Sequence, residues 1–92
     1  MAWIVTLHKR VQKQLRDLPK PVRDALNILL AEIETLGPVR GDWKNYSKLG
    51  DHKHHCHIKT GRPTYVVVWQ EIDQEIRLVE VQYAGTHEKA PY

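Results

Sequence analysis

Val22, Ala25, Leu26, Leu29, Ile33 and Leu36 recur at spacings of three and four and mark one face of a helix. Nothing else in the chain constrains its fold as tightly. Upstream, Val11, Leu15 and Leu18 repeat the same periodicity from His8 onward, with basic residues between them. Pro19-Lys20-Pro21 separates the two segments. Proline lacks an amide donor and restricts the residue before it, so the first helix has to end there. Pro21 is well tolerated in a first helical turn and can open the second helix, which stops before Gly37-Pro38. A helical hairpin with an apolar stripe on each member must bury both stripes, and the rest of the chain must supply the surface.

That remainder reads as strand. Ile4 and Thr6 alternate with Trp3, Val5 and Leu7, which predicts a short first strand. Residues 37–52 hold Gly37, Pro38, Gly41 and Gly50 and read as a long connection, with Trp43 closing it over the core. His54 to Lys59 alternates, with Cys56 and Ile58 on one side and His55, His57 and Lys59 on the other. Thr60-Gly61-Arg62-Pro63 signals a turn, and Thr64 to Gln70, β-branched and aromatic, is a strand. Gln70 to Gln74 turns again and Glu75 to Ala84 forms the last strand. Trp3 and Trp69 belong to packing. The predicted class is α+β, in the order β-α-α-β-β-β. A short N-terminal strand precedes a helical hairpin that packs on one face of an antiparallel sheet, leaving the other face open for function.

Ninety-two residues suit a single domain spanning 1–92, which buries only about 60–65% of its unfolded surface. One cysteine excludes an internal disulfide and fits a reducing compartment. Cys56 shares a face with Ile58 and is expected to be buried and inert. No run approaches the roughly 18 apolar residues of a membrane span, and the first residues lack a secretory pattern, so a cytoplasmic location is expected. The formal charge is +3, and its distribution says more than its size. Lys9, Arg10, Lys13, Arg16, Lys20 and Arg23 form one basic zone, and Arg40, Lys44, Lys48, Lys53, Lys59 and Arg62 a second. Glu71, Asp73, Glu75 and Glu80 gather later. Two basic zones against one acidic zone favour a polyanionic partner.

Six histidines are present, five of them between His52 and His87. His8, His52 and His54 read as ordinary surface or hydrogen-bonded residues. A metal centre is not expected, because Cys56 falls on the face opposite His55 and His57 and no recognised ligand spacing is present; no cofactor is called for. General acid–base chemistry suits the rest. Imidazole titrates near neutrality, and cleaving RNA through its own 2′-hydroxyl needs a base, an acid and cations around the phosphorus. His57, His87, Lys59 and Arg62 are the candidate catalytic groups. Lys53, His55 and Lys89 are candidate RNA contacts, and Tyr65 and Tyr92 candidate platforms for base stacking. On the residues alone, cleavage and plain RNA binding both stay open.

Trp43-Lys44-Asn45-Tyr46, Cys56-His57-Ile58, the Tyr65–Trp69 strand and Gly85-Thr86-His87 occur in an order that resembles the RelE/ParE superfamily of bacterial toxins, most closely its YafQ-like mRNA interferases. Where YafQ-like sequences carry Pro-Asp-Trp in a short hairpin, this chain has Thr64 and Tyr65 in a longer one. The resemblance implies a RelE-like fold and a toxin that cleaves mRNA on the ribosome without a metal. It implies that His57 and His87 share the proton transfers, with Lys59 and Arg62 holding the phosphate. It also implies a cognate antitoxin protein, contact of the basic helix face with 16S ribosomal RNA, and DNA engaged only through an antitoxin complex. The same superfamily includes ParE-type toxins, which inhibit DNA gyrase without cleaving RNA; the pair His57 and His87 favours the nuclease.

Overall fold

The helical hairpin expected from periodicity forms as α1 (Lys9–Gln14) and α2 (Lys20–Leu36) in the computed structural model, which describes residues 2–92. The first helix is shorter than its periodicity suggests: Leu15–Asp17 tighten into a 3₁₀ turn before Leu18 goes extended. Pro19 caps α2 and Pro21 sits in its first turn, where a missing amide costs nothing. Val22, Leu26, Leu29 and Ile33 are buried. Leu36, on the same predicted face, is 67% exposed, because the helix ends there and the chain leaves through Gly37 at φ 102°. A side chain at Gly37 would lie 3.2 Å from Trp3 Nε1 as well as straining the backbone.

The sheet has five strands, β1 (Ile4–Leu7), β2 (Ser47–Gly50), β3 (Lys53–Lys59), β4 (Tyr65–Asp73) and β5 (Leu78–Thr86), in the order β1-β5-β4-β3-β2. The α+β class with both helices on one face holds, with two differences. The sheet is mixed, because β1 runs parallel to β5, with Ile4 opposite Leu78 and Leu7 opposite Val81. The predicted connection over 37–52 also contains β2, an edge strand paired with β3 and nearly devoid of apolar residues. The last hairpin is tighter than expected. β4 runs on to Asp73, whose Oδ1 accepts from the amides of Glu75 and Ile76, and β5 begins at Leu78.

On the helix face, Val11 and the α2 stripe meet Cys56, Ile58, Val67, Trp69, Val79, Val81 and Ala84. Trp3 and Trp43 pack against this core, as does Tyr65; Trp43 Nε1 donates to Glu32 Oε1 at 2.8 Å and Trp69 Nε1 to the Pro38 carbonyl at 2.9 Å. The opposite face is less open than predicted. Val66, Val68 and Tyr83 form a smaller apolar cluster there, covered by Leu49 and Ala90. Two faces can be served by β5 because its register slips. Trp69 pairs with Val81 and Val68 with Tyr83, leaving Gln82 as an extra residue. Val79 and Val81 therefore point at the helices, whereas Tyr83, two residues on, lies on the other face.

Beyond Leu7 the outer edge of β5 has lost its partner strand, and α1 covers it. The His8 amide donates to the Val81 carbonyl at 2.9 Å, Arg10 Nε donates to the Gln82 carbonyl, and Gln14 Oε1 accepts from the Ala84 amide at 2.9 Å. Backbone groups on a buried or exposed edge need partners, and here one backbone amide and two side chains of α1 provide them. Among the described residues no helix is long and apolar enough to cross a membrane.

Candidate active site

His57 sits on β3 opposite Val66, on the sheet face away from the helices. Its amide donates to the Lys44 carbonyl at 2.8 Å, and Asn45 Nδ2 lies 3.2 Å from Nδ1 and 3.5 Å from Nε2 of its ring. His87 opens a 3₁₀ turn (His87–Lys89) directly after β5, and its amide donates to the Thr64 carbonyl at 2.8 Å. Thr64 in turn closes the 60–64 turn by exchanging hydrogen bonds with Gly61, its hydroxyl donating to the carbonyl at 3.0 Å. Two strand ends that are distant in sequence are thus tied together through one backbone hydrogen bond.

The two imidazoles meet edge to face, with centroids 5.5 Å apart and planes at 71°. They line a hollow of about 680 Å³ together with Gly61, Arg62, Pro63, Thr64 and Glu88. His55 continues the cluster, 6.3 Å from the His57 ring, with Nδ1 3.0 Å from Ser47 Oγ. Tyr92 folds over it, 4.7 Å from His55 and 6.0 Å from His87. Desolvation holds the His57 pKa below its ordinary value, and the positive charges of His87, His55 and Lys44 add to the effect. A ring so placed carries a lone pair at neutral pH and can accept a proton. Burial raises the Tyr92 hydroxyl, which stays protonated.

Of the residues singled out from sequence, His55, His57, His87 and Tyr92 share this cluster and Arg62 lies in the same hollow. Others are elsewhere. A bulge sets Lys59 opposite Tyr65, so the alternation that holds through Ile58 fails at Lys59, which does not line the hollow. Tyr65 packs on the helix-side core and borders a second depression of about 460 Å³ with Lys89 and Arg10. Lys53 borders a third, with Arg10, Gln82 and Tyr92. Lys44, Asn45 and Ser47, which contact the histidines, are not among the residues expected from sequence. The landmark Trp43-Lys44-Asn45-Tyr46 contained two of them, but no spacing rule connects a loop amide to a strand imidazole.

His54, read as an ordinary histidine, is fully buried. Its ring stacks on both Tyr46 and Trp69, with centroids 5.9 and 5.7 Å away, and those two rings lie 6.2 Å from each other. Both nitrogens are engaged: Nδ1 is 2.7 Å from the Tyr46 hydroxyl and Nε2 donates to Glu71 Oε2 at 2.7 Å. The sequence carried this signal, since His54 shares parity with Cys56 and Ile58 and so belongs on the core side. Among the described residues no group of three or more histidine, cysteine or acidic side chains is arranged to hold a metal ion.

No family sequence model matches the chain, and no curated protein matches it by sequence. Solved structures do match. The chain is similar to the isolated toxin RelE of E. coli, with 26% identity and a TM-score of 0.71 over 98% of this chain and 89% of that one. A mutant of the same toxin in the free state gives 25% identity and a TM-score of 0.71, covering 96% and 86% of the two chains. The archaeal RelE–RelB complex of Pyrococcus horikoshii shares the fold, with a TM-score of 0.73 at 16% identity over 98% and 100%. A five-stranded sheet with a helical pair on one face, superposable on these toxins over almost its whole length, places the chain in the RelE-like toxin superfamily.

Proposed function

We propose that this chain is the toxin of a toxin–antitoxin pair and an endoribonuclease that cleaves mRNA on the ribosome. One observation carries the reading: His57 and His87 stand edge to face at 5.5 Å in a hollow that also holds Arg62. In the reaction one imidazole removes the proton of a ribose 2′-hydroxyl, and that oxygen attacks the adjacent phosphorus. The bond from phosphorus to the 5′-oxygen breaks, and the second imidazole supplies the proton this oxygen needs. A 2′,3′-cyclic phosphate and a free 5′-hydroxyl result, with no water consumed. Negative charge grows on the nonbridging oxygens, which Arg62 faces. The nucleophile belongs to the substrate, so alignment and proton transfer supply most of the catalysis.

The archaeal structure is a toxin with its antitoxin, which supports a protein antitoxin as partner here. Two basic zones on a chain of net charge +3 support mRNA and ribosomal RNA as the polyanionic partners. The test is induced expression in bacteria of the chain and of its His57→Ala/His87→Ala variant, with primer extension on translated messages. New 5′ ends in frame with codons, produced by the parent alone, are the expected result; each single imidazole contributes about 10²–10⁴-fold to the rate. Growth arrest without new RNA ends transfers the reading to a toxin acting on another target, such as DNA gyrase.

A further inference from the structure

The loop carrying Asn45 is fixed on both sides. Before it, the Lys44 carbonyl accepts from the His57 amide at 2.8 Å. After it, Tyr46 donates its amide to the Trp43 carbonyl at 3.2 Å and sets its hydroxyl 2.7 Å from buried His54, which is itself held by Glu71 and stacked on Trp69. Asn45 stands between these anchors at φ 54°, a left-handed conformation that asparagine tolerates better than most residues. Although exposed, its side chain is therefore aimed by a backbone with little freedom.

The amide nitrogen lies within 3.5 Å of both nitrogens of the His57 ring. An amide N–H is a donor without acceptor capacity, so whichever ring nitrogen it meets must carry a lone pair. Imidazolium has hydrogen on both, so with Nδ2 facing the ring either nitrogen then sets N–H against N–H. The groups facing His57 act mostly in the same sense: His55 from its own strand, His87 from the terminal turn, Lys44 from the loop and Arg62 from the hollow are cationic or become so. Glu88, which also lines the hollow, opposes them.

We infer that Asn45 is a positioning residue that holds the His57 imidazole unprotonated, making His57 the proton acceptor and His87 the proton donor in RNA cleavage. The assignment rests on the nuclease reading; the contact does not. Asn45→Asp retains the side-chain shape and the tolerance for the left-handed backbone, and it replaces a donor by a carboxylate that accepts from imidazolium. The His57 titration midpoint, followed by NMR of its ring protons, is expected to rise by about one unit or more. The acid limb of the kcat/KM profile, measured on a translated message in a reconstituted bacterial translation system, is expected to move up with it. Asn45→Gly keeps the backbone conformation and removes the amide. It is expected to raise the midpoint less and to lower kcat about 10–100-fold with KM little changed, as loss of a supporting hydrogen bond does.

An unmoved midpoint in both variants overturns the positioning role. A midpoint that rises in Asn45→Asp while the acid limb stays put overturns the assignment of His57 as base and leaves the amide contact standing. A parent chain that cleaves at no pH overturns the nuclease reading and the assignment with it, even where the midpoints move as expected.

Discussion

Gly85 precedes the site by two residues, and its role is steric. A Cβ at this position would lie 2.8 Å from Tyr83 Oη and 3.0 Å from Cζ, closer than side chains approach one another. The backbone is not in the left-handed region, so the cost of Gly85→Ala arises from this collision alone. Tyr83 has nowhere to go: it is 6% exposed, packs on Val66 and Val68, and donates its hydroxyl to the Thr86 carbonyl at 2.7 Å. Forced overpacking costs about 1–3 kcal/mol. Displacing the ring also sacrifices a hydrogen bond of about 1 kcal/mol. The sum, roughly 2–4 kcal/mol, lowers the Tm of a domain of this size by roughly 10–30 °C. Urea unfolding followed by tryptophan fluorescence measures it, because Trp69 is fully buried. Tyr83→Phe removes the nearest atom and leaves Cζ at 3.0 Å, so the double variant should recover about 1 kcal/mol relative to the sum of the singles. A Gly85→Ala protein within about 0.5 kcal/mol of the parent, the range of neutral surface changes, refutes the argument.

Two further outcomes follow from the buried groups. Burial alone would raise the Glu71 carboxyl, but hydrogen bonds from His54 and Gln74 and the charge of His54 outweigh it and hold the pKa below the ordinary value of 4.5. A depressed carboxyl contributes stability above its unfolded pKa and loses it as pH falls through the lower folded value. The stability gap between the parent and Glu71→Gln, roughly 1.5–3 kcal/mol near neutrality for a hydrogen bond to a charged group, should therefore shrink below pH 4.5 in denaturant titrations; a gap independent of pH argues against it. Burial first, then the charges of Asp42 and Glu32, push the Cys56 thiol up to about 12. Iodoacetamide at mildly alkaline pH should label the folded protein no faster than it unfolds, and labelling at the rate of a free thiol would count against a buried inert cysteine.

The parts of the fold legible in the sequence are those written in period and punctuation. Val22, Leu26, Leu29 and Ile33 announce α2, and Pro19 and Gly37 bound it. Cys56 and Ile58 give β3 its buried side, and two of the ring-bearing residues of the site follow from the opposite parity. What stayed hidden depends on pairing. Ser47-Lys48-Leu49-Gly50 becomes a strand because β3 offers it an edge, since one leucine among four residues gives no alternation to read. Lys59 left its expected place because the ladder slips between His57 and Lys59, whereas Tyr65 shares parity with Val67 and Trp69 and so packs on the helix side. Asn45 was unreadable for a different reason: its contact with His57 is made by a turn whose left-handed residue no composition rule locates.

The slip at Gln82 makes β5 a strand with two phases. Up to Val81, odd-numbered residues answer to the helices; from Tyr83, the odd-numbered residues answer to the histidine face instead. The strand can thus carry an apolar core sequence at one end and deliver His87 beside His57 at the other, without either demand constraining the residue types of the other. Gln82 stands outside the ladder, and that exclusion, more than the identity of the residue, puts the numbering of the two ends out of step. Were Gln82 taken into the ladder opposite Val68, Tyr83 and Gly85 would turn toward the helices, so the meeting of the two imidazoles is stored in a register.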